Sequence, residues 1–230
     1  DARYEKVRHD GVVIDVAVLT AVGILPDGRR TVLGTSVALS EAEVHWRDLL
    51  NDLVARGMRG VEFIVSDDHA GLAAARKTVL TSVPWQRCQF HLAQNAMKYC
   101  PSLAVRREAG QWLREVFNAK DRATADQALK DAMAHFEKKA PQLATWMEAN
   151  VPESLTVFKL PGVSRKKLRT SNGIERPIQQ ELKRRTRKIR VFPNVESLLR
   201  LVSAILVEID DEWTSATKRY LPEAEDDDAC

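Results

Sequence analysis

The sequence is poor in the residues that staple small secreted domains. Three cysteines, Cys88, Cys100 and Cys230, are scattered over 230 residues. They are too few and too irregular for a disulfide framework, so a reducing cytosol is the expected compartment. No apolar run approaches the roughly 20 residues that a membrane helix needs, and the first residues do not have the layout of a signal peptide. No membrane partner is therefore expected. Internal repeats and long linkers are also lacking, which points to one domain rather than an array. What remains is ordinary for a globular chain able to bury a substantial core, with 44% hydrophobic and 29% charged residues.

Net charge is only +3, but its sign is unevenly distributed. Between Arg165 and Arg190 stand eleven Lys or Arg against two Glu. Beyond Glu208 the balance reverses and the chain ends in "EAEDDDAC". A concentrated basic block in a near-neutral chain is the mark of a face that meets a polyanion, and the acidic end is expected to be solvated and disordered. A solvated charged helix is the plainer alternative for the basic block.

The first forty residues read as strands. "DARYEKVR", "VVIDVAVLTAVGI" and "TVLGTSVAL" are separated by Asp10-Gly11 and Pro26-Asp27-Gly28, both hairpin-turn signals. Ser40 is expected to open a helix, with Glu43 completing a capping box, and Trp46, Leu49, Leu50 and Leu53 keep helical spacing up to about Gly57. "GVEFIVS" reads as a fourth strand that runs into Asp67, Asp68 and His69, followed by a helix from about Gly71 to Leu80. "WQRCQF" suggests a brief fifth strand. From about residue 90 to 150 helical spacing dominates, then "KLPGVSRKKLRT" reads as a loop leading to Asn172 and the basic helix. An amphipathic helix from Val195 to Ile209 closes the pattern. This order is that of a ribonuclease H-like α/β fold, in which three meandering strands are extended by parallel ones reached through helical crossovers.

Chains that cut and rejoin nucleic acid on such a sheet need a few carboxylates converging on hard divalent metal, because Mg²⁺ takes oxygen ligands. Asp1 on the first strand, Asp67 at the end of the fourth and Glu175 at the head of the basic helix are candidates. Each has a plainer reading. A terminal carboxylate is usually solvated, Asp67 or Asp68 can cap the following helix, and Glu175 suits the first turn of a helix whose N-cap is Asn172. Pro177 lacks an N–H, so the helix is expected either to begin there or to have a distorted first turn.

The segments "DARYEKVR", "VSDDHAGL", "WQRCQFHLAQNAM" and "TSNGIERPIQQELKRRTRKIRVFPN" together resemble the Mutator-type transposases of bacterial insertion sequences, from residue 1 to about Tyr220. The resemblance implies a DDE-type catalytic domain: a ribonuclease H-like mixed sheet flanked by helices, with an α-helical insertion before the catalytic glutamate. Residues 1–89 are then the first part of the core, 90–160 the insertion, 161–215 the completion of the core, and 216–230 the acidic tail. The catalytic and metal-binding triad would be Asp1, Asp67 and Glu175, holding Mg²⁺, with Mn²⁺ as an alternative ion. The family's Cys-x-x-His element falls on Cys88 and His91. This is half a zinc site without a second pair, so a supporting role is favoured, and His69 is a further supporting candidate.

Arg165, Lys166, Lys167, Arg169, Arg176, Lys183, Arg184, Arg185, Arg187, Lys188 and Arg190 are expected to hold DNA by its phosphates. Implied partners are the element's terminal inverted repeats, target DNA and a second copy of the chain in a synaptic complex. The implied location is the cytoplasm, in association with the nucleoid. Family members also carry a long N-terminal region that recognises the inverted repeats, and no such region precedes Asp1 in this sequence. Two alternatives follow: a truncated or inactive transposase remnant that binds DNA without cutting it, and a ribonuclease H-like nuclease.

Overall fold

The computed structural model describes residues 1–221, so residues 222–230, most of the expected acidic tail, lie outside the described residues. The fold is mixed α/β, and its contacts divide the chain into two units. One comprises Asp1–Glu62, Asp68–Val83 and the chain from Gly173 onward; the other comprises Phe63–Asp67 and Pro84–Asn172.

In the first unit, strands β1 (Ala2–His9), β2 (Val12–Ile24) and β3 (Arg30–Ala38) form an antiparallel sheet in that order. Asp10 and Gly11 both have positive φ, 48° and 81°, the conformation that lets a two-residue turn follow the twist of its strands. Pairing runs from Ala2↔Leu19 to His9↔Val12 and from Ala17↔Ala38 to Ile24↔Arg30, with a bulge at Ala21/Val22. The alternation of β2 assigns the two faces. Val16 and Val18 join a core with Ile178, Leu182, Leu198, Val202 and Ile205. Ala17 and Leu19 join another with Trp46, Leu49, Leu53 and Leu72. Helices α8 (Asn172–Thr186) and α9 (Val195–Ser215) thus cover one face, and α1 (Glu43–Ala55) and α2 (Ala70–Val79) cover the other. Val7 forms a parallel bridge with Phe192, where the Arg8 amide donates to Phe192 O and the Phe192 amide to Lys6 O, both at 2.8 Å.

The second unit contains a parallel pair, β4 (Ile64–Ser66) with β5 (Trp85–Arg87), and helices α3 (Gln89–Ala96), α4 (Leu103–Phe117), α5 (Arg122–Phe136), α6 (Pro141–Asn150) and α7 (Gly162–Leu168). Leu92, Leu113, Phe136, Leu143 and Met147 are among the side chains that fill its core. Ser102 and Asp121 cap α4 and α5 by accepting from Val105 N and Thr124 N. Trp112 packs against this core.

Several elements differ from expectation. The capping box at Ser40 is not formed. Helix α1 begins at Glu43 with Ala42 extended at its N-cap, while Ser40 Oγ accepts from the Ala42 amide at 3.3 Å. Packing explains the late start. A Cβ on Gly71, in the first turn of α2, would lie 2.0 Å from Glu41 O, so residues 41–42 serve as the surface on which α2 rests. The expected loop at 160–171 contains α7. Helix α8 runs through Pro177 from Asn172, so the first of the two expected alternatives fails and the cost is a missing bond to Gly173 O. The fourth and fifth strands are a separate parallel pair of three residues each. At the start of the expected tail, the Tyr220 and Leu221 amides donate to Gly28 O.

Candidate active site and phosphate-binding helix

Asp1 is held in the sheet. Its amine donates to Thr20 O at 3.0 Å and its carbonyl accepts from Thr20 N at 2.9 Å, continuing the β1–β2 ladder. Residues 1, 3, 5 and 7 share one face of β1, and α8 lies along that face. Gln179 Nε2 donates to Asp1 Oδ2. Gln179 Oε1 accepts from Arg3 Nη1 at 3.4 Å, and Glu5 accepts from Arg3 Nε and from Thr186 Oγ1. Glu175 precedes Gln179 by four residues, one helical turn, so the two project from the same side of α8. Asp1 and Glu175 therefore belong to one unit and one strand–helix pairing.

Asp67 lies in the other unit, at the end of β4. Trp85 Nε1 donates to Ser66 Oγ at 2.9 Å, and Ser66 Oγ donates in turn to Asp67 O at 2.7 Å. The N-cap of α2 falls on His69, past both Asp67 and Asp68. His69 Nδ1 lies 3.7 Å from Glu41 Oε2. Tyr4 shares that neighbour: partial burial, then the Glu41 charge and hydrogen bond, raise its hydroxyl pKa. His69 thus meets an acid outside the expected triad.

Cys88 is fully buried at the N-cap of α3. Its amide donates to Ser66 O at 2.7 Å, and its Sγ lies 3.2 Å from Thr170 Oγ1. Burial alone would raise the thiol pKa. The polar surroundings, His91 and the Thr170 hydroxyl among them, outweigh this and lower it to about 6.

The expected phosphate-binding set divides by what each cation touches. Arg165 donates to Leu160 O and Lys120 O and lies over the Phe158 ring, and Arg169 donates to Asn118 Oδ1. Arg184 and Arg185 both pair with Glu181, and Arg185 pairs also with Glu208. Lys166, Lys167 and Arg176 are exposed. Lys183, Arg187, Lys188 and Arg190 are exposed too, and form no ion pair among the described residues.

By donor chemistry, three carboxylates suit Mg²⁺. Among the described residues, no group of three or more His, Cys, Asp or Glu side chains is gathered closely enough to hold a metal ion, and Asp67 stands in a different unit from the other two acids. No helix among these residues is long and apolar enough to cross a membrane.

Gln179, Thr170, Ser171, Ser66 and Glu41 were not singled out from the sequence. Gln179 had a signal, its helical spacing from Glu175. Thr170 and Ser171 read only as the polar lead-in to a helix, and Glu41 had no signal at all.

Asp1, at the end of the β1–β2 ladder, thus stands against a helix that is acidic at its head and basic in its last turn, in a mixed α/β fold. The family model for "Transposase, Mutator family" matches residues 1–216, and the chain belongs to that family. It is 55% identical over 221 residues to the transposase for insertion sequence element IS406 of Burkholderia multivorans, covering 96% of this chain and 56% of that protein. It is 44% identical to the transposase for ISRM5 of Rhizobium meliloti, covering 96% and 55%. The transposase for IS256 in transposon Tn4001 of Staphylococcus aureus is 32% identical, covering 96% and 56%. The chain thus spans about half the length of these curated relatives.

Proposed function

We propose that this chain is the catalytic domain of an insertion-sequence DNA transposase with a ribonuclease H-like fold, and that Asp1, Asp67 and Glu175 are its catalytic carboxylates. The observation that carries the assignment is the bond from Gln179 to Asp1, one helical turn from Glu175. It links the first acid to the helix bearing the third, in a chain whose family acts in transposition. The three carboxylates would hold Mg²⁺, or Mn²⁺, which when bound activates the attacking oxygen and stabilises the leaving one. In the first step water attacks phosphorus at an element end, the P–O3′ bond breaks, and the 3′ oxygen takes up a proton. In the second, that 3′-hydroxyl attacks a target phosphodiester, forming one P–O bond as another breaks. No bond to the protein forms in either step.

Lys183, Arg187, Lys188 and Arg190 supply phosphate contacts that position the backbone without reading sequence. A pair of copies in the cytoplasm, bound at the nucleoid, would bring two element ends together. The test uses the protein at its full length with an element-end oligonucleotide bearing a free 3′ end. Joining to target DNA that needs Mg²⁺ is expected, and Asp67→Asn or Glu175→Gln should reduce it to background while DNA affinity is kept. Undiminished joining by either variant defeats the triad. Cleavage without joining favours the nuclease, and salt-sensitive binding alone favours a remnant.

A further inference from the structure

We propose that Cys88 is a positioning residue, the centre of a clamp that fixes the chain just before Asp67 to the chain that leads into Glu175. The proposal rests on the assignment of those acids above and gives the Cys-x-x-His element a task other than binding zinc. Three contacts build the clamp, all within the helical unit. The Cys88 amide closes on Ser66 O at the end of β4, beyond the last paired residues Ser66↔Arg87. The next amide, of Gln89, donates to Arg169 O at 3.0 Å. The Cys88 sulfur lies against Thr170 Oγ1, and Thr170 Oγ1 accepts from the Asn172 amide at 3.2 Å, where α8 begins. Adjacent backbone amides thus seize two chain segments about a hundred residues apart in sequence.

The sulfur suits this position. It is wholly buried, so its hydrogen bonds face no competition from water. The Thr170 hydroxyl lies against it at 3.2 Å, and the polar surroundings from two segments outweigh burial and favour thiolate. A charged acceptor makes stronger hydrogen bonds than a neutral one. On the β4 side the clamp continues through Trp85, Ser66 and the Asp67 carbonyl. Second-layer partners of this kind, once removed, typically cost about ten- to a hundredfold in metal affinity or activity.

The experiment compares Thr170→Val, which keeps shape, His91→Asn and Cys88→Ser with the parent at full length, and uses Cys88→Ala as the spectroscopic blank. Difference absorbance of the thiolate should titrate near pH 6 in the parent and higher in Thr170→Val and His91→Asn. Hydrogen exchange across residues 64–68 and 169–172 should accelerate in Thr170→Val. Strand joining should fall about ten- to a hundredfold, with DNA affinity unchanged and the protein still folded at the assay temperature, and Cys88→Ser should recover part of what Cys88→Ala loses. A parent thiol titrating in the ordinary range, or exchange unaltered in Thr170→Val, overturns the clamp. Faster exchange with joining undiminished overturns its role in positioning. If the parent joins no strands, the function proposed above fails, while titration and exchange still decide the clamp.

Discussion

The two units differ in the polar side chains that they bury. In the helical unit, besides surface ion pairs such as Arg122 with Asp126 and Glu108 with Lys139, two neutral amides are buried and wired to backbone. Gln86 is fully buried, donating to Arg87 O and Ser154 O and accepting from the Val157 amide at 2.7 Å, and Gln89 donates to Ser154 O as well. In the sheet unit, charged groups pair with each other at the surface, as in Glu181 with Arg184 and Arg185, and Glu208 with Arg185. Backbone partners cannot be exchanged without unfolding, whereas surface ion pairs are worth little and trade readily. The buried amides of the helical unit therefore keep a geometry, while the ion pairs along α8 are free to change partners.

The contrast is open to attack in order of expected effect. Gln86→Leu should be the most damaging to stability. It strands backbone groups at Arg87 and Val157 inside the protein, at about 1–3 kcal/mol each, and denaturant titration should show a loss of about 4 kcal/mol. Next is the pH dependence set by Cys88. Its thiol is held at about 6, below the unfolded value of about 8.5, so between these values the unfolded chain binds more protons than the folded one. Stability from this source is complete above the unfolded value and is lost as pH falls through about 6, on the order of 3 kcal/mol. The difference in unfolding free energy between parent and Cys88→Ser, followed from pH 5 to 9, should trace that rise. A flat difference would show that the helical unit buries a neutral thiol.

Smaller effects are expected in the sheet unit. Gln179→Ala removes the donor on Asp1, and the Mg²⁺ concentration needed for half-maximal joining should rise by about tenfold or more, with the rate at saturation largely restored. Smallest is Glu208→Gln, which releases Arg185 from one partner. Nonspecific DNA affinity should rise only a few-fold, about 1 kcal/mol or less, with a steeper dependence on salt. If affinity falls, the glutamate is part of the binding face and not a stand-in for phosphate.

Much of the sheet unit was legible because its signals are local. Asp10-Gly11 dictated a turn, alternation marked β2, and the spacing from Val195 to Ile209 marked α9. What was hidden depended on partners distant in sequence. Nothing near Ser40 announces that Gly71 needs the 41–42 backbone extended. "LPGVS" carries turn residues, yet Pro161 is simply the N-cap residue before α7. The acids were named through family resemblance, and Asp1 alone would have read as a solvated end. The Thr170 hydroxyl that meets Cys88 lies some eighty residues onward, and no periodicity reaches that far.

One face of β2 has a consequence for how the chain is made. Val16 and Val18 find their cover in Ile178, Leu198, Val202 and Ile205, so synthesis runs on for most of the sequence while an apolar strand surface waits for its lid. The helices of residues 89–150 mature early on their own nearest neighbours. On a ribosome this order leaves a sticky, half-dressed sheet until the last helix emerges, and the yield of active protein should depend on how quickly that final stretch arrives.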